Sequence, residues 1–209
     1  FNFLFIRGGI GVSTMNQSAA YFSDVLLLNH AAVNTEWNLF ESAVSGRKAS
    51  KNKYLYYSKE EIEETVKKMY AVSKDTTEQV LTTNRPNVVL FVMESFTSDL
   101  TKAIGGMDGV TPQFDSLANK GVLFTNIYST GNRTDKGVLG TLAAFPSLGT
   151  GNLVKYTNKM QKLPGISQEF VNHGYSTSFF YGGESEFDNY KAFILTHGYQ
   201  QLIDKHHFK

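Results

Sequence analysis

The strongest strand signal in the chain is the run from Asn87 to Met93, in which six consecutive apolar residues follow an asparagine. A parallel strand that is buried on both faces requires an uninterrupted apolar run rather than an alternation of apolar and polar residues. The run therefore predicts a central strand of a parallel sheet.

Downstream of this run, helical and strand patterns alternate. Pro112 suits the first turn of a helix, and glycines follow three of the predicted helices as stop signals. The pattern predicts helices over 111–118, 164–173 and 187–196, and strands over 122–124 and 175–181. Alternation of this kind predicts an α/β fold with a mostly parallel sheet and flanking helices.

The first 85 residues are patterned differently. Ser58 followed three residues later by Glu61 predicts a capping box and an amphipathic helix. Residues 24–41 predict one or two short helices, with Asn34 or Thr35 as an N-cap. We therefore predict a helical wrapping arm over residues 1–85 and an α/β domain over residues 86–209.

Charge and composition exclude several classes of protein. The 209 residues carry 20 basic and 19 acidic side chains and a net charge of +1, so a dedicated nucleic-acid-binding protein is not expected. The chain has no cysteine, which excludes disulfides, thiolate metal sites and cysteine nucleophiles. No apolar run is long enough to span a bilayer. Because the chain begins with Phe rather than Met, we expect it to be part of a longer protein.

Glu94 follows the predicted central strand directly, and ligands of open α/β sheets gather at the carboxyl ends of strands. A carboxylate there is costly to desolvate unless it is paired or bound to a cation. The position alone leaves open a structural carboxylate, used in helix capping or an ion pair, and a metal-binding or catalytic one.

Thr134 lies in a polar segment that precedes an apolar stretch, where a helix is expected to begin. A hydroxyl at a helix N-terminus is close to backbone N–H groups that favour anions, so it could act as a nucleophile once a base or a metal ion removes its proton. The alternative is an ordinary helix N-cap. The five histidines show no i, i+4 pair, and we expect structural roles for them.

Several segments, taken in their order and spacing, resemble one enzyme family. The segments are 87–96, 111–118, 121–124 and Gly131-Asn132-Arg133-Thr134. Together they resemble the lipoteichoic-acid synthase and phosphoglycerol transferase family of the alkaline phosphatase/sulfatase superfamily, over residues 86–204. Residues 21–40 resemble the segment that joins the membrane helices of this family to its extracellular catalytic domain.

The resemblance implies the N-terminal part of an alkaline phosphatase/sulfatase-like domain and a reaction. Thr134 would attack a phosphodiester and form a phospho-threonine, with Glu94 and Thr134 as ligands of one divalent metal, Mn²⁺ by analogy, with Mg²⁺ and Zn²⁺ as alternatives. Arg133 and Asn189 are assigned to substrate binding. Sulfatases instead use a Cys or Ser in a C/S-x-P-x-R pattern, whereas Asp135-Lys136-Gly137 follows Thr134.

The resemblance also has two departures. The Asp-His pair that completes the metal site of the family lies beyond Lys209, so the chain alone is expected to be inactive and to need that part of its own domain. Asp188 and Tyr190 occupy the places of a Trp and an Arg that surround the phosphoglycerol head group. A different phospho-alcohol, such as phosphoethanolamine, therefore stays open as the transferred group.

The leading hypothesis is a metal-dependent phosphoglycerol-type transferase of cell-envelope glycolipid or polymer synthesis, acting on a lipid- or glycan-linked phosphodiester. We expect it on the outer side of a bacterial cytoplasmic membrane, anchored by transmembrane helices outside this chain. The alternatives are a sulfatase or phosphodiesterase that releases its product to water, and a non-catalytic relative that binds envelope components.

Overall fold

The structure, a computed structural model, describes residues 2–10, 14–36, 38–40, 43–44, 55–71, 79–146 and 152–208. The chain divides into two compact units. The first comprises Phe1–Asn34 and Phe96–Lys209, and the second comprises Thr35–Ser95. These bounds group the segments differently from the expected division at residue 85, which stays a prediction about the domain organisation.

The described residues form short helices and two short strands. The α-helices are α1 (Asn2–Arg7), α2 (Leu26–Ala32), α3 (Lys59–Met69), α4 (Pro112–Ala118), α5 (Thr134–Ala143), α6 (Thr157–Met160), α7 (Ile166–Asn172) and α8 (Tyr190–Thr196). The 3₁₀ helices are Gln17–Ala20, Ser98–Leu100, Lys102–Ile104, Leu153–Lys155 and Phe187–Asn189. The strands are β1 (Ser178–Phe180) and β2 (Gln201–Ile203).

The two strands of the first unit pair in parallel, with Ser178 opposite Gln201 and Phe180 opposite Ile203. Helix α8 lies between them in sequence, as the crossover between parallel strands requires. Gly198 ends this helix with φ +86°, a conformation that suits glycine. This strand–helix–strand unit confirms the predicted α/β class and parallel pairing.

The core of the first unit is built mainly by α5 and α8. Phe193 and Ile194 are fully buried, and each such side chain contributes about 1.5–3 kcal/mol relative to an exposed one. The buried cluster consists of Tyr21, Leu139, Leu142, Ala143, Val154, Met160, Ala192, Phe193 and Ile194. The predicted helices at 111–118, 164–173 and 187–196 are confirmed as α4, α7 and α8.

The segment before α2 packs into this core and is hydrogen-bonded to it. The Tyr21 ring is buried, and its hydroxyl accepts a 2.9 Å hydrogen bond from Gln161. Burial raises the pKa of the Tyr21 hydroxyl, and the bond from Gln161 partly offsets that rise. Ser18, also buried, bonds through Oγ to Asn189 and to the backbone of Ala192. Part of the predicted wrapping arm is therefore integral to the first unit.

The second unit contains the predicted capping box. Ser58 Oγ accepts from the Glu61 backbone N–H, and the Glu61 carboxylate accepts from the Ser58 backbone N–H at 2.9 Å. These bonds satisfy two donors at the start of α3. Residues 35–36 and 38–40 are helical as well, in agreement with the short helices predicted before residue 41.

The prediction of a buried strand over residues 87–93 is wrong for this structure. Val89 is 75% exposed and Phe91 is 81% exposed, and none of residues 87–93 belongs to a strand. A strand buried on both faces needs paired neighbours and covering layers. Within the described ranges no strand pairs with this run. The predicted strand at 122–124 is likewise not formed, and Phe124 is 71% exposed.

Candidate functional site

Thr134 is the first residue of helix α5. Arg133 occupies the N-cap position in an extended conformation, with φ −142° and ψ 152°, and its side chain makes no capping hydrogen bond. Thr134 is partly buried, whereas Arg133 is exposed. The N-cap alternative for Thr134 is therefore wrong by one position: its hydroxyl belongs to the first helical turn, where backbone N–H groups favour negative charge.

The residue after Thr134 anchors this helix. Asp135 is 6% exposed, and its carboxylate accepts 2.9 Å and 2.5 Å hydrogen bonds from the Lys136 backbone N–H and the Asn152 side-chain amide. The other side-chain atom of Asn152 accepts from the Val154 backbone N–H at 2.9 Å. A buried Asp–Asn contact therefore ties the start of α5 to the Leu153–Lys155 turn. The sequence alone does not indicate this contact, because an Asp in the first turn of a helix ordinarily predicts a solvent-facing charge.

A second contact fixes the loop that leads into α5. The side chain of Thr130 packs against Gly140, where a Cβ would lie within 2.2 Å of Thr130 Oγ1. Gly137, one turn earlier, would meet no described atom within 4 Å. The two glycines of this helix therefore differ: only Gly140 is required by a close approach, and that approach holds the loop before Thr134.

Glu94 lies in a turn of the second unit and is exposed. The next residue, Ser95, has φ 55°, which is uncommon for a residue other than glycine. Thr134 belongs to the first unit, so the shared metal predicted for Glu94 and Thr134 stays a prediction.

The two predicted substrate-binding residues differ in access. Arg133 is exposed beside Thr134. Asn189 is 9% exposed, its Oδ1 accepts from Ser18 Oγ at 3.2 Å, and its amide donates to the Val154 carbonyl at 3.4 Å. In this conformation the Asn189 side chain makes hydrogen bonds within the protein. Substrate would bind it only after these bonds are broken.

A polar cluster forms around Asp204, directly after β2. Asp204 is 3% exposed, and its carboxylate accepts hydrogen bonds from Ser185 Oγ at 2.5 Å, the Ser185 backbone N–H at 3.3 Å, the His206 backbone N–H at 3.1 Å and His207 Nδ1 at 2.9 Å. Burial alone raises the pKa of the Asp204 carboxyl, but the hydrogen bonds outweigh it and lower the pKa to about 2. Since Ser185 bonds to Asp204 rather than to a histidine, this is not the order of a nucleophilic triad.

Glu186, Asp204 and His206 could each present one metal-ligand atom within 4.8 Å of the others. The donors suit a divalent cation in type. However, Glu186 is paired with Lys191 at 2.9 Å, and both Asp204 oxygens already accept hydrogen bonds. The group fits a metal poorly as it stands, and we assign it a structural role.

His197 confirms the structural role expected for it. It is fully buried, and its Nδ1 lies 2.7 Å from the Phe193 carbonyl oxygen. Its ring stacks on the Phe193 ring, with the two ring centroids 4.0 Å apart. Because a carbonyl only accepts, Nδ1 carries the proton. His197 Nε2 finds no hydrogen-bond partner among the described residues. Burial lowers the pKa of His197, and the Phe193, Met160 and Leu163 carbonyls oppose that effect.

Among the described residues, no helix is both long enough and apolar enough to cross a bilayer.

One solved structure is similar to part of the chain. It is a protein of the alkaline phosphatase superfamily from Vibrio parahaemolyticus, 31% identical, with a TM-score of 0.49. The similarity covers 53% of this chain and 27% of the other, so this chain spans about a quarter of that protein's length.

A larger part of the chain matches a known protein family. The Sulfatase family model matches residues 86–209, which is more than half of the chain. The match agrees with the predicted alkaline phosphatase/sulfatase-like fold class. Proteins of this superfamily are typically enzymes that bind a divalent metal ion. The chain belongs to the sulfatase family.

Proposed function

We propose that this chain supplies the nucleophile of a phosphodiester-cleaving transferase, with Thr134 as the attacking group. The observation that carries the proposal is the place of Thr134 in a sulfatase-family chain: a partly buried threonine in the first turn of α5, after the exposed loop that ends at Arg133. The chain has no cysteine, and none of its four prolines follows a Cys or Ser by two residues. These features favour phosphoryl over sulfuryl chemistry.

The reaction proceeds in two displacements. Thr134 Oγ attacks phosphorus, the bond to the leaving alcohol breaks, and the proton given up by the Thr134 hydroxyl ends on that alcohol. An acceptor alcohol then attacks the phospho-threonine, which releases Thr134 and completes the transfer. The helix N-terminus favours the negative charge on the phosphoryl oxygens, and the exposed Arg133 is the cation that we propose pairs with the same oxygens.

We further propose that Glu94 and Thr134 hold a divalent metal ion together with ligands supplied by the rest of the protein. Such an ion lowers the pKa of a bound hydroxyl and stabilises phosphoryl charge. The donor set fits this use, because an exposed carboxylate and a hydroxyl are the oxygen ligands that Mn²⁺ and Mg²⁺ prefer.

In the complete protein, the transferred group is a phosphoglycerol-type or related phospho-alcohol unit, and the acceptor is a lipid- or glycan-linked alcohol of the cell envelope. The resemblance of residues 21–40 to a membrane-proximal segment supports a position on the extracytoplasmic side of the membrane. If the domain is extracytoplasmic, protease added to spheroplasts should cleave it, whereas protease added to sealed inside-out vesicles should not. The opposite pattern would contradict this location.

The decisive experiment compares two threonines that each begin a helix. Thr134→Ala in the full-length protein should lower turnover of bis(p-nitrophenyl) phosphate with Mn²⁺ by at least about 10³-fold, as loss of a nucleophile does. Thr157→Ala is the matched control, because Thr157 begins α6 and its hydroxyl donates to Gln17 Oε1 at 2.7 Å. Its activity should match wild type. An active Thr134→Ala protein overturns the proposal.

Two further arms separate the alternatives. Turnover of p-nitrophenyl sulfate that exceeds phosphodiester turnover would indicate a sulfatase. Product analysis with glycerol as acceptor distinguishes transfer from hydrolysis, since a transferase yields a glycerol phosphodiester. Absence of turnover together with absence of bound metal would indicate a non-catalytic relative.

Glu94→Gln should lower Mn²⁺ affinity, measured by calorimetry.

A further inference from the structure

Helix α5 is held at its N-terminus by tertiary contacts rather than by its own sequence. Its N-cap side chain makes no capping bond, and two of its ten residues are glycines, which disfavour helix. The start of the helix instead depends on Asp135, whose buried carboxylate accepts from the Asn152 amide at 2.5 Å. The first turn therefore keeps its position through residues outside the helix.

Anchoring Asp135 also sets the direction of Thr134. Successive residues of an α-helix point about 100° apart around the axis. Because Asp135 is fixed toward the interior, rotation of the first turn is restricted, and Thr134 is held at the flank of the helix, partly open to solvent. A loss of the Asp135–Asn152 bond would free this rotation without removing any group that touches substrate.

The anchor continues into the rest of the first unit. Asn152 accepts from the Val154 backbone N–H, and the Val154 carbonyl accepts from the Asn189 amide at 3.4 Å. Asn189 in turn accepts from Ser18. The start of α5 is thus joined by consecutive hydrogen bonds to the segment that precedes α8 and to the N-terminal segment. Among the described residues, the partners of the buried Asp135 carboxylate are a backbone N–H and a side-chain amide.

We infer that Asp135 and Asn152 are positioning residues that aim the Thr134 hydroxyl at the reacting phosphorus. This inference rests on the proposed function of Thr134 and adds the means by which the nucleophile is oriented. Neither residue touches substrate. A misplacement of about 1 Å at a reacting group can lower the rate about 100-fold.

The test exchanges the two side chains in the full-length protein. Asn152→Asp places two carboxylates against each other and should lower kcat about 10- to 100-fold while KM changes less than about threefold. The double variant D135N/N152D restores an amide–carboxylate pair and should return kcat to within about threefold of wild type. Rescue of kcat by the exchanged pair is a result that a merely destabilising change would not give.

The control variant is Thr177→Val at a buried threonine just before β1, which removes the hydrogen bond from Thr177 Oγ1 to the Gly198 carbonyl at 2.7 Å and the one that Oγ1 accepts from the Gln200 backbone N–H at 3.3 Å. It should lower the thermal midpoint and leave the kcat of the folded protein unchanged. All rates are divided by the folded fraction from circular dichroism. If Asn152→Asp does not fold, the double variant decides: a folded D135N/N152D protein with reduced kcat overturns the inference.

The outcomes separate this inference from the proposed function. If Thr134→Ala is inactive and Asn152→Asp keeps the wild-type kcat, the positioning inference fails and the nucleophile stands. If the exchange does not restore kcat, the inference also fails. If Thr134→Ala is active, both fail together.

Discussion

Two buried aspartates of the first unit show how the same side chain is used differently. Asp204 accepts from two side chains and two backbone N–H groups, and these bonds lower the pKa of its carboxyl to about 2. Asp135 accepts from one amide side chain and one backbone N–H, and it follows Thr134 directly. Both carboxylate oxygens of Asp204 accept two hydrogen bonds, as expected of a residue with a structural role. Among the described residues Asp135 has one tertiary partner, Asn152, as expected of an adjustable support for a neighbouring group.

The largest expected difference is in stability. Asp204→Ala leaves Ser185 buried without its acceptor and should lower the free energy of unfolding by about 3–5 kcal/mol. Asp135→Ala should cost about 1–3 kcal/mol, because one tertiary bond is lost. Urea unfolding followed by fluorescence measures both. Equal losses of unfolding free energy at the two positions would contradict the distinction between the structural role of Asp204 and the supporting role of Asp135.

Acid titration should sharpen the comparison. The folded-state pKa of Asp204 lies below its ordinary value of 3.8, so its stabilisation is fully present above about pH 4 and is lost as the pH falls toward 2. The contribution is about 2 kcal/mol. Asp204→Asn should flatten the unfolding free energy over that window. An unchanged slope in the variant would show that Asp204 does not supply it.

A separate loss of stability is expected nearer neutral pH. Burial lowers the folded-state pKa of His197, so the unfolded chain binds the proton first. The free energy of unfolding should therefore fall as the pH drops below the ordinary histidine value of about 6.5. His197→Phe, which keeps a ring against Phe193, should remove this slope and leave the Asp204 window unchanged. Persistence of the slope would assign it to another group.

The smallest expected effect concerns the two glycines of α5. Gly137→Ala should raise the free energy of unfolding by about 0.5–1 kcal/mol, because alanine favours helix and the space is open. Gly140→Ala should lower it by about 1 kcal/mol, since the new methyl group displaces Thr130. Thermal unfolding compares the two. A rise in the free energy of unfolding at both positions would show that Thr130 moves away without cost.

The sequence predicted the elements whose signals are local. The capping box at Ser58, the proline at the start of α4 and the glycine after α8 each specify an end of a helix, and all three helices form where predicted. The parallel pair β1–β2 is also anticipated, because β1 lies within the predicted strand at 175–181 and α8 supplies the crossover.

The failures have one physical cause. Residues 87–93 carry the apolar pattern of a buried strand, but a strand forms only with paired neighbours, and pattern alone does not provide them. The Asp135–Asn152 and Ser185–Asp204 contacts join residues 17 and 19 positions apart, so no local spacing indicates them. Asn189 stays a predicted substrate ligand; what the sequence does not indicate is its hydrogen bond from Ser18, which lies 171 positions away in sequence.

The most direct test of the central claim is chemical trapping on the full-length protein. Reaction with bis(p-nitrophenyl) phosphate and Mn²⁺ is quenched with acid, and tandem mass spectrometry locates any covalent phosphoryl adduct. The account predicts an aryl phosphate ester on Thr134 that disappears when acceptor alcohol is added before the quench. An adduct on another residue, or continued turnover by Thr134→Ala, would contradict it.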